Sequence, residues 1–408
     1  MSKRLVGASS VALGLYFPTG SRYETRGNNG ISHFIEHLIF KGTPSRSGEQ
    51  INREMDQLGG TANAYTSKET LCLHARVLPE QLPRLIELFA DLAAHALPEG
   101  LEGEIECERE VILAEIAALE DAPEDLVGDL ADRAYFGEHP LALPVVGSPR
   151  AVARLAPAEL RGHFRSHIVA RDLVVAAAGC VDHDDLVGRA REAFGDLPRG
   201  GAPRELVAPS PRRSTRVLER DLEQVHVCLS APGIARGDLR RRGAELLSLI
   251  VGDGYSSRLF REVRDRRGLA YSVFSGLAGY LDAGSFNVYL GVTPAKLDET
   301  LTVVAEVLAS VRDGEIGEQE LEDARRALCT NLRLSCESSS ARMSFLAERV
   351  MLGESDLMLE PEIEAIARTE LATLRALAAE LLAGPLALAA VGPVSLDRLP
   401  ARGLELPA

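Results

Sequence analysis

No segment of the chain runs to eighteen uninterrupted apolar residues, so no membrane-spanning helix is expected. CxxC pairs are missing too. The six cysteines (Cys72, Cys107, Cys180, Cys228, Cys329 and Cys336) are scattered, and with no export signal they read as reduced, mostly packed thiols of a cytoplasmic protein. Positive charge is in deficit: 45 Lys and Arg stand against 60 Asp and Glu, a formal net charge of -15. Phosphate binding needs clustered Lys and Arg, so a nucleic-acid partner is not expected. The opening "MSKRLVGASSVALGLYFPTG" starts with basic residues and a mildly apolar run. That run alternates and ends in Pro-Thr-Gly without a small-residue cleavage site, which predicts a β-strand over Val11 to Phe17 rather than a secretory leader.

What is present describes an ordinary globular protein. Of the 408 residues, 46% are hydrophobic and 26% charged, and the mean hydropathy is -0.01. A chain of this length exceeds one ordinary core and suggests two domains, or four small ones. The clearest seam is the Pro-, Gly- and Arg-rich run "GDLPRGGAPRELVAPSPRRSTR", Gly195 to Arg216. Domains are therefore expected over residues 1–200 and 217–408, joined by a linker at 201–216. Alternating strand candidates (Thr70 to Val77, Gln224 to Ala231) are interleaved with amphipathic helices (Leu82 to Leu97, Glu104 to Leu119).

The halves resemble each other. "INREMDQLGGTANAYTS" (Ile51 to Ser67) and "LFREVRDRRGLAYSVFS" (Leu259 to Ser275) share Arg-Glu, then Gly60 with Gly268, Ala62 with Ala270, and Ser67 with Ser275. Each reads as a helix end, a glycine break and a strand, and each leads on to a long helix and a Glu-rich helix. The expected architecture is α+β: two copies of one unit.

Chemistry concentrates in "GISHFIEHLIFKGTP", Gly30 to Pro44. Asn28, Asn29 and Gly30 offer caps, and Gly42 with Pro44 supplies a stop. At about 100° per residue, Ile31, Phe34, Ile35 and Leu38 share one face, while His33, Glu36, His37 and Phe40 share the other. Histidines at i and i+4 can direct imidazole nitrogens at one divalent ion, and zinc favours nitrogen donors in a tetrahedral site. Glu36, beside them, could instead take a proton from a water whose pKa the metal lowers. The spacing HxxEH inverts the HExxH of other zinc enzymes. "HFRSH" also places His163 and His167 at i and i+4, but without an acid between them, and reads as structural. A third ligand is expected from the Glu104 to Leu119 helix, where Glu104, Glu108 and Glu115 border the apolar face. Periodicity leaves all three open.

The ordered blocks "TGSRYETRGNNGISHFIEHLIFKGT", "GGTANAYTSKET", "EREVILAEIAALEDAPED", "HPLALPVVGS" and "SSRLFREVRDRRGLAYSVFSG" resemble the pitrilysin family of zinc peptidases, most closely its processing-peptidase branch, from about Val11 to past Glu380. The resemblance implies one zinc per chain, with His33, His37 and Glu115 as ligands, Glu36 as general base and Glu108 as support behind a ligand. It implies that Arg264 and Tyr271 donate to the substrate carbonyl, and that "GGTANAYTS" is an edge strand receiving an extended peptide, with Asn63 and Ala64 near the scissile bond. It further implies two homologous α/β-sandwich halves closing as a clamshell, cleavage of short or unfolded peptides in an enclosed chamber, and pairing with an identical or homologous second subunit. The second half contains no HxxEH. Two departures stand out: the family's leading strand is reduced to "MSKRLVG", and "HFRSHIVARDL" lacks the usual Tyr-x-Pro. The competing expectations are a non-catalytic scaffold subunit and a partner-dependent leader peptidase for a peptide natural product.

Overall fold

The computed structural model describes residues 1–201, 206–354 and 356–407. Residues 202–205 of the expected linker therefore lie outside the described residues. Ten strands are present among those described: β1 (Ser2–Arg4), β2 (Val11–Phe17), β3 (Thr61–Thr66), β4 (Leu71–Val77), β5 (Val174–Gly179), β6 (Thr215–Glu219), β7 (Val225–Pro232), β8 (Ala270–Gly279), β9 (Gly284–Val292) and β10 (Ala387–Gly392). They form two five-stranded sheets, β1-β5-β2-β4-β3 and β6-β10-β7-β9-β8. In each sheet the outermost pair (β1 with β5, β6 with β10) is parallel and the other pairings are antiparallel. Identical topology establishes the duplication that the short repeat suggested. The reduced leading segment still supplies β1, and the two repeat segments end in the edge strands β3 and β8.

Among the helices that precede β5 in sequence, the first five matter below: α1 (Ile31–Leu38), α2 (Gly48–Leu58), α3 (Leu82–His95), α4 (Glu102–Glu120) and α5 (Pro123–Phe136). In the first sheet, Val11, Leu13, Leu15 and Phe17 of β2 face a core shared with Phe34 and Ile35 of α1, Phe89 of α3 and Ile112 of α4. All seven residues of β2 are buried, so its opposite face also needs cover. Ala12, Tyr16, Cys72, Ala176 and Ala178 on that face pack under Met343 and Ala347 of the helix Ser339–Met351. Gly14 makes room there, since a Cβ would stand 3.0 Å from Met343 Sδ. The second sheet follows the same plan: Cys228, Tyr289, Ala389 and Val391 are covered by Val127 and Ala131 of α5.

The compact units consequently differ from the chain-order division at 201–216. One unit comprises Met1–Ala118, Leu143–Leu206 and Leu334–Leu357; the other comprises Leu119–Ala142, Val207–Arg333 and Met358–Ala408. Each sheet takes one covering helix from the opposite half of the chain. The physical reason is that a strand buried on both faces needs two apolar layers, and chain order does not say where the second comes from. No helix among the described residues is long and apolar enough to cross a membrane.

Candidate metal centre

The centre is built on α1, whose entry is held by a residue outside the expected caps. Gly30 occupies the cap position with φ 97° and makes no side-chain cap of its own. Glu24 takes that role: its Oε2 accepts from Gly30 N at 2.7 Å and Asn29 Nδ2 at 2.9 Å, and its Oε1 accepts from Ser32 N at 2.9 Å. Asn28 instead accepts from Thr25. A buried carboxylate thus satisfies otherwise orphaned helix N–H groups and faces the positive end of the helix dipole. Burial pushes the Glu24 carboxyl upward, and its donors from Gly30, Ser32 and Asn29 oppose that push. The acid six residues ahead of the glycine was the available signal, and cap rules that look only next to the helix miss it.

Ile31, Phe34, Ile35 and Leu38 anchor α1 in the core, as the periodicity predicts. His33 is also buried, at 7% exposure, because α1 packs against β3. His33 Nε2 lies 3.7 Å from Glu115 Oε2, and His37 Nε2 lies 3.5 Å from the same oxygen. Among the described residues, the group of three His, Cys, Asp or Glu side chains able to share an ion is His33, His37 and Glu115, with donor atoms within 4.8 Å of one another. A tetrahedral zinc with bonds of about 2.0–2.2 Å sets its ligand atoms about 3.4 Å apart, so both measured spacings fit. Burial, followed by the nearby His37, pushes His33 down to about 4, leaving a neutral imidazole with a free lone pair. The donor set therefore suits zinc.

Helix α4 places the three candidate glutamates differently. Ile105, Ile112 and Ile116 sink into the core, and the stripe beside them brings Glu108 and Glu115 to α1 while Glu104 stays exposed. Glu108 plays a different part from Glu115. Its Oε2 lies 3.0 Å from His37 Nδ1, and its Oε1 lies 2.5 Å from Lys41 Nζ. Burial pushes the Glu108 carboxyl up, but Lys41 and His37 outweigh it and hold the group below the usual carboxylate range. Glu36 is raised, first by burial and further by Glu115, with Thr66 at the end of β3 and His37 pulling the other way.

The remaining expected residues fall as follows. Asn63 and Ala64 lie on β3, which among the described residues pairs only with β4 and forms a sheet edge. Ala64 is buried and Asn63 exposed, with Asn63 Oδ1 accepting from Ala64 N at 2.9 Å. His163 and His167 stack at 3.5 Å, and the His167 Nδ1–H donates to the His163 carbonyl at 2.8 Å. In the second unit, Arg264 sits in a π-helical turn, Phe260–Asp265. Its guanidinium stands 5.0 Å from the ring centres of both Phe260 and Tyr271. Tyr271 is the residue skipped between Ala270 and Ser272 in the β8–β9 register, and it is 76% exposed. π-turns and bulges re-aim side chains and recur at functional sites.

Comparison with known proteins gives the family. The family model "Insulinase (Peptidase family M16)" matches residues 1–148, and "Peptidase M16 inactive domain" matches residues 154–328. A protein of Mycobacterium bovis named an uncharacterized zinc protease is 39% identical over 400 residues, spanning 95% of this chain and 90% of its own. A Bacillus subtilis protein, likewise named, is 33% identical over 384 residues, spanning 94% and 93%. The chain belongs to peptidase family M16, the pitrilysin family. Solved structures similar in fold are a peptidase M16 inactive domain from Pseudomonas fluorescens (TM-score 0.88, 22% identity, 97% of this chain and 95% of that one) and a Helicobacter pylori protease (0.85, 21%, 96% and 95%). A chain of complex III2 from Candida albicans also has the fold (0.85, 20%, 98% and 94%).

Proposed function

We propose that this protein is a zinc-dependent endopeptidase of the inverted HxxEH type, in the processing-peptidase-like branch, acting on short or unfolded peptides. The observation that carries the reading is the convergence of His33, His37 and Glu115 at zinc-ligand spacing, with Glu36 beside them. Zinc held there would supply Lewis acidity, polarising a carbonyl and lowering the pKa of water. Glu36 takes the proton from the attacking water and passes it to the leaving amine. The free edge of β3 offers backbone groups to an extended peptide, giving affinity with little dependence on side chains, with Asn63 and Ala64 at the cleaved bond. Arg264 and Tyr271 are assigned as donors to the carbonyl oxygen as negative charge develops on it. A second subunit, identical or homologous, and a cytoplasmic setting belong to the same reading; all six cysteines are free, as a reducing compartment allows.

Metal analysis of the purified protein should give one zinc per chain, and Glu36→Gln should keep the metal while cleavage falls about 10²–10⁴-fold. Unimpaired cleavage by that variant would remove Glu36 as the base. His37→Ala should lose zinc and His163→Ala should keep it. Tyr271→Phe should lower kcat more than it raises KM; an unchanged kcat would take Tyr271 out of the reaction. A scaffold role shares the fold but gives no reason for a complete donor set.

A further inference from the structure

We propose that Lys41 is a positioning residue of the metal centre, which acts through Glu108 to hold His37 in one tautomer and one orientation, and so sets how tightly zinc is bound. The inference rests on the reading of His33, His37 and Glu115 as the ligands. The two imidazoles are supported unequally. His33 has its Nδ1 buried without a hydrogen-bond partner, so no carboxylate holds that ring from the side away from the ligand cluster. His37 has Nδ1 3.0 Å from Glu108 Oε2, and the other oxygen of that carboxylate lies 2.5 Å from Lys41 Nζ. A carboxylate held at one oxygen can still turn about its bond, whereas contacts at both oxygens fix its plane. With Glu108 pinned as an acceptor, His37 carries its proton on Nδ1 and leaves Nε2 free for a metal.

The cation is itself presented from a braced loop. Lys41 lies just beyond the end of α1, its N–H donating to Leu38 O at 3.0 Å. Gly42 bridges Ser47. Asp91 of α3 collects Thr43 Oγ1 at 2.7 Å and Arg46 Nη1 at 2.7 Å. The backbone at Gly48 packs so closely that a Cβ would stand 2.9 Å from the Lys41 carbonyl oxygen. A long, mobile side chain thereby starts from a fixed point, and its side chain remains 37% exposed, so replacing it need not disturb the core.

The test compares parent, K41M, K41Q, K41R, E108Q and the double variant K41M/E108Q, with zinc affinity measured by competition against a chromophoric chelator. Nitrogen NMR of the metal-free proteins would report the His37 tautomer. K41M and K41Q should each weaken zinc binding about tenfold, K41R should recover most of the loss, and the Nδ1–H population of His37 should fall in the two neutral variants. In the E108Q background, K41M should change affinity less than about twofold, because its effect passes through the carboxylate. Parent-like affinity and tautomer in both K41M and K41Q, or losses that add in the double variant, would overturn the proposal while leaving the ligand assignment intact. A parent protein that binds no zinc would overturn the ligand assignment itself.

Discussion

Glu108 and Glu115 occupy the same stripe of α4 seven residues apart, yet one backs a histidine and the other faces two imidazoles. Their surroundings make the difference. Glu108 is buried and gripped by Lys41 and His37, whereas the Glu115 side chain is 43% exposed and has an oxygen within reach of both Nε2 atoms. The paired histidines and Glu36 were legible because i, i+3 and i+4 positions share a helix face whatever surrounds them. Periodicity narrowed Glu115 only to one of three candidates and the family resemblance singled it out, since periodicity gives a direction on α4 but not the depth to which Ile105, Ile112 and Ile116 draw it in. Lys41 and Glu24 were not legible, because each acts through a contact that local spacing does not specify. At this scale, Glu24→Ala should destabilise the metal-free protein by about 2–4 kcal/mol, since it leaves buried N–H groups without acceptors. Urea unfolding would measure it. A loss below about 0.5 kcal/mol would mean that water satisfies these donors.

Helix α1 is set in place by a backbone contact as much as by its apolar face. A Cβ on Gly30 would lie 2.8 Å from Gly147 Cα and 3.0 Å from Val146 O, and φ at Gly30 is positive. Only a residue without a side chain lets the start of α1 sit against the 146–147 loop. Gly30→Ala should therefore cost more than about 1–3 kcal/mol, the usual strain of such a conformation, because a steric overlap adds to it. Zinc affinity should fall with it, and Gly27→Ala, which meets only Thr25 Oγ1 at 3.7 Å, serves as the control. Equal stability of the two variants would show that the 146–147 loop yields. The strands and helices around α1 were readable from sequence to within a residue or two: β2 is Val11–Phe17 as expected, and the Leu82 to Leu97 expectation became Leu82–His95. The π-turn at Arg264 and the bulge at Tyr271 were not, since neither has a strong local signature.

On the scale of the whole molecule, each half of the chain lends a helix to the sheet of the other. A fragment of residues 1–200 would lack the helix Ser339–Met351 and leave Ala12, Tyr16, Cys72, Ala176 and Ala178 uncovered; residues 201–408 would lack α5 over Cys228 and Tyr289. Neither fragment should fold alone, and Cys72 and Cys228, buried in the intact protein, should react rapidly with a thiol reagent in the fragments. Co-expressing both fragments should restore protection. Slow labelling in the isolated 1–200 fragment would show that the exchanged helix is dispensable.

The amino-acid sequence alone determined the local elements and the gathering of two imidazoles and a carboxylate on one helix face, because these follow from short-range sterics and from the periods of strand and helix. Tertiary structure alone decided that Lys41 reaches Glu108 and which helix covers which sheet. An apolar stripe specifies that a surface must be buried and not against what; the partner is settled by the total burial and hydrogen bonding of many distant segments at once.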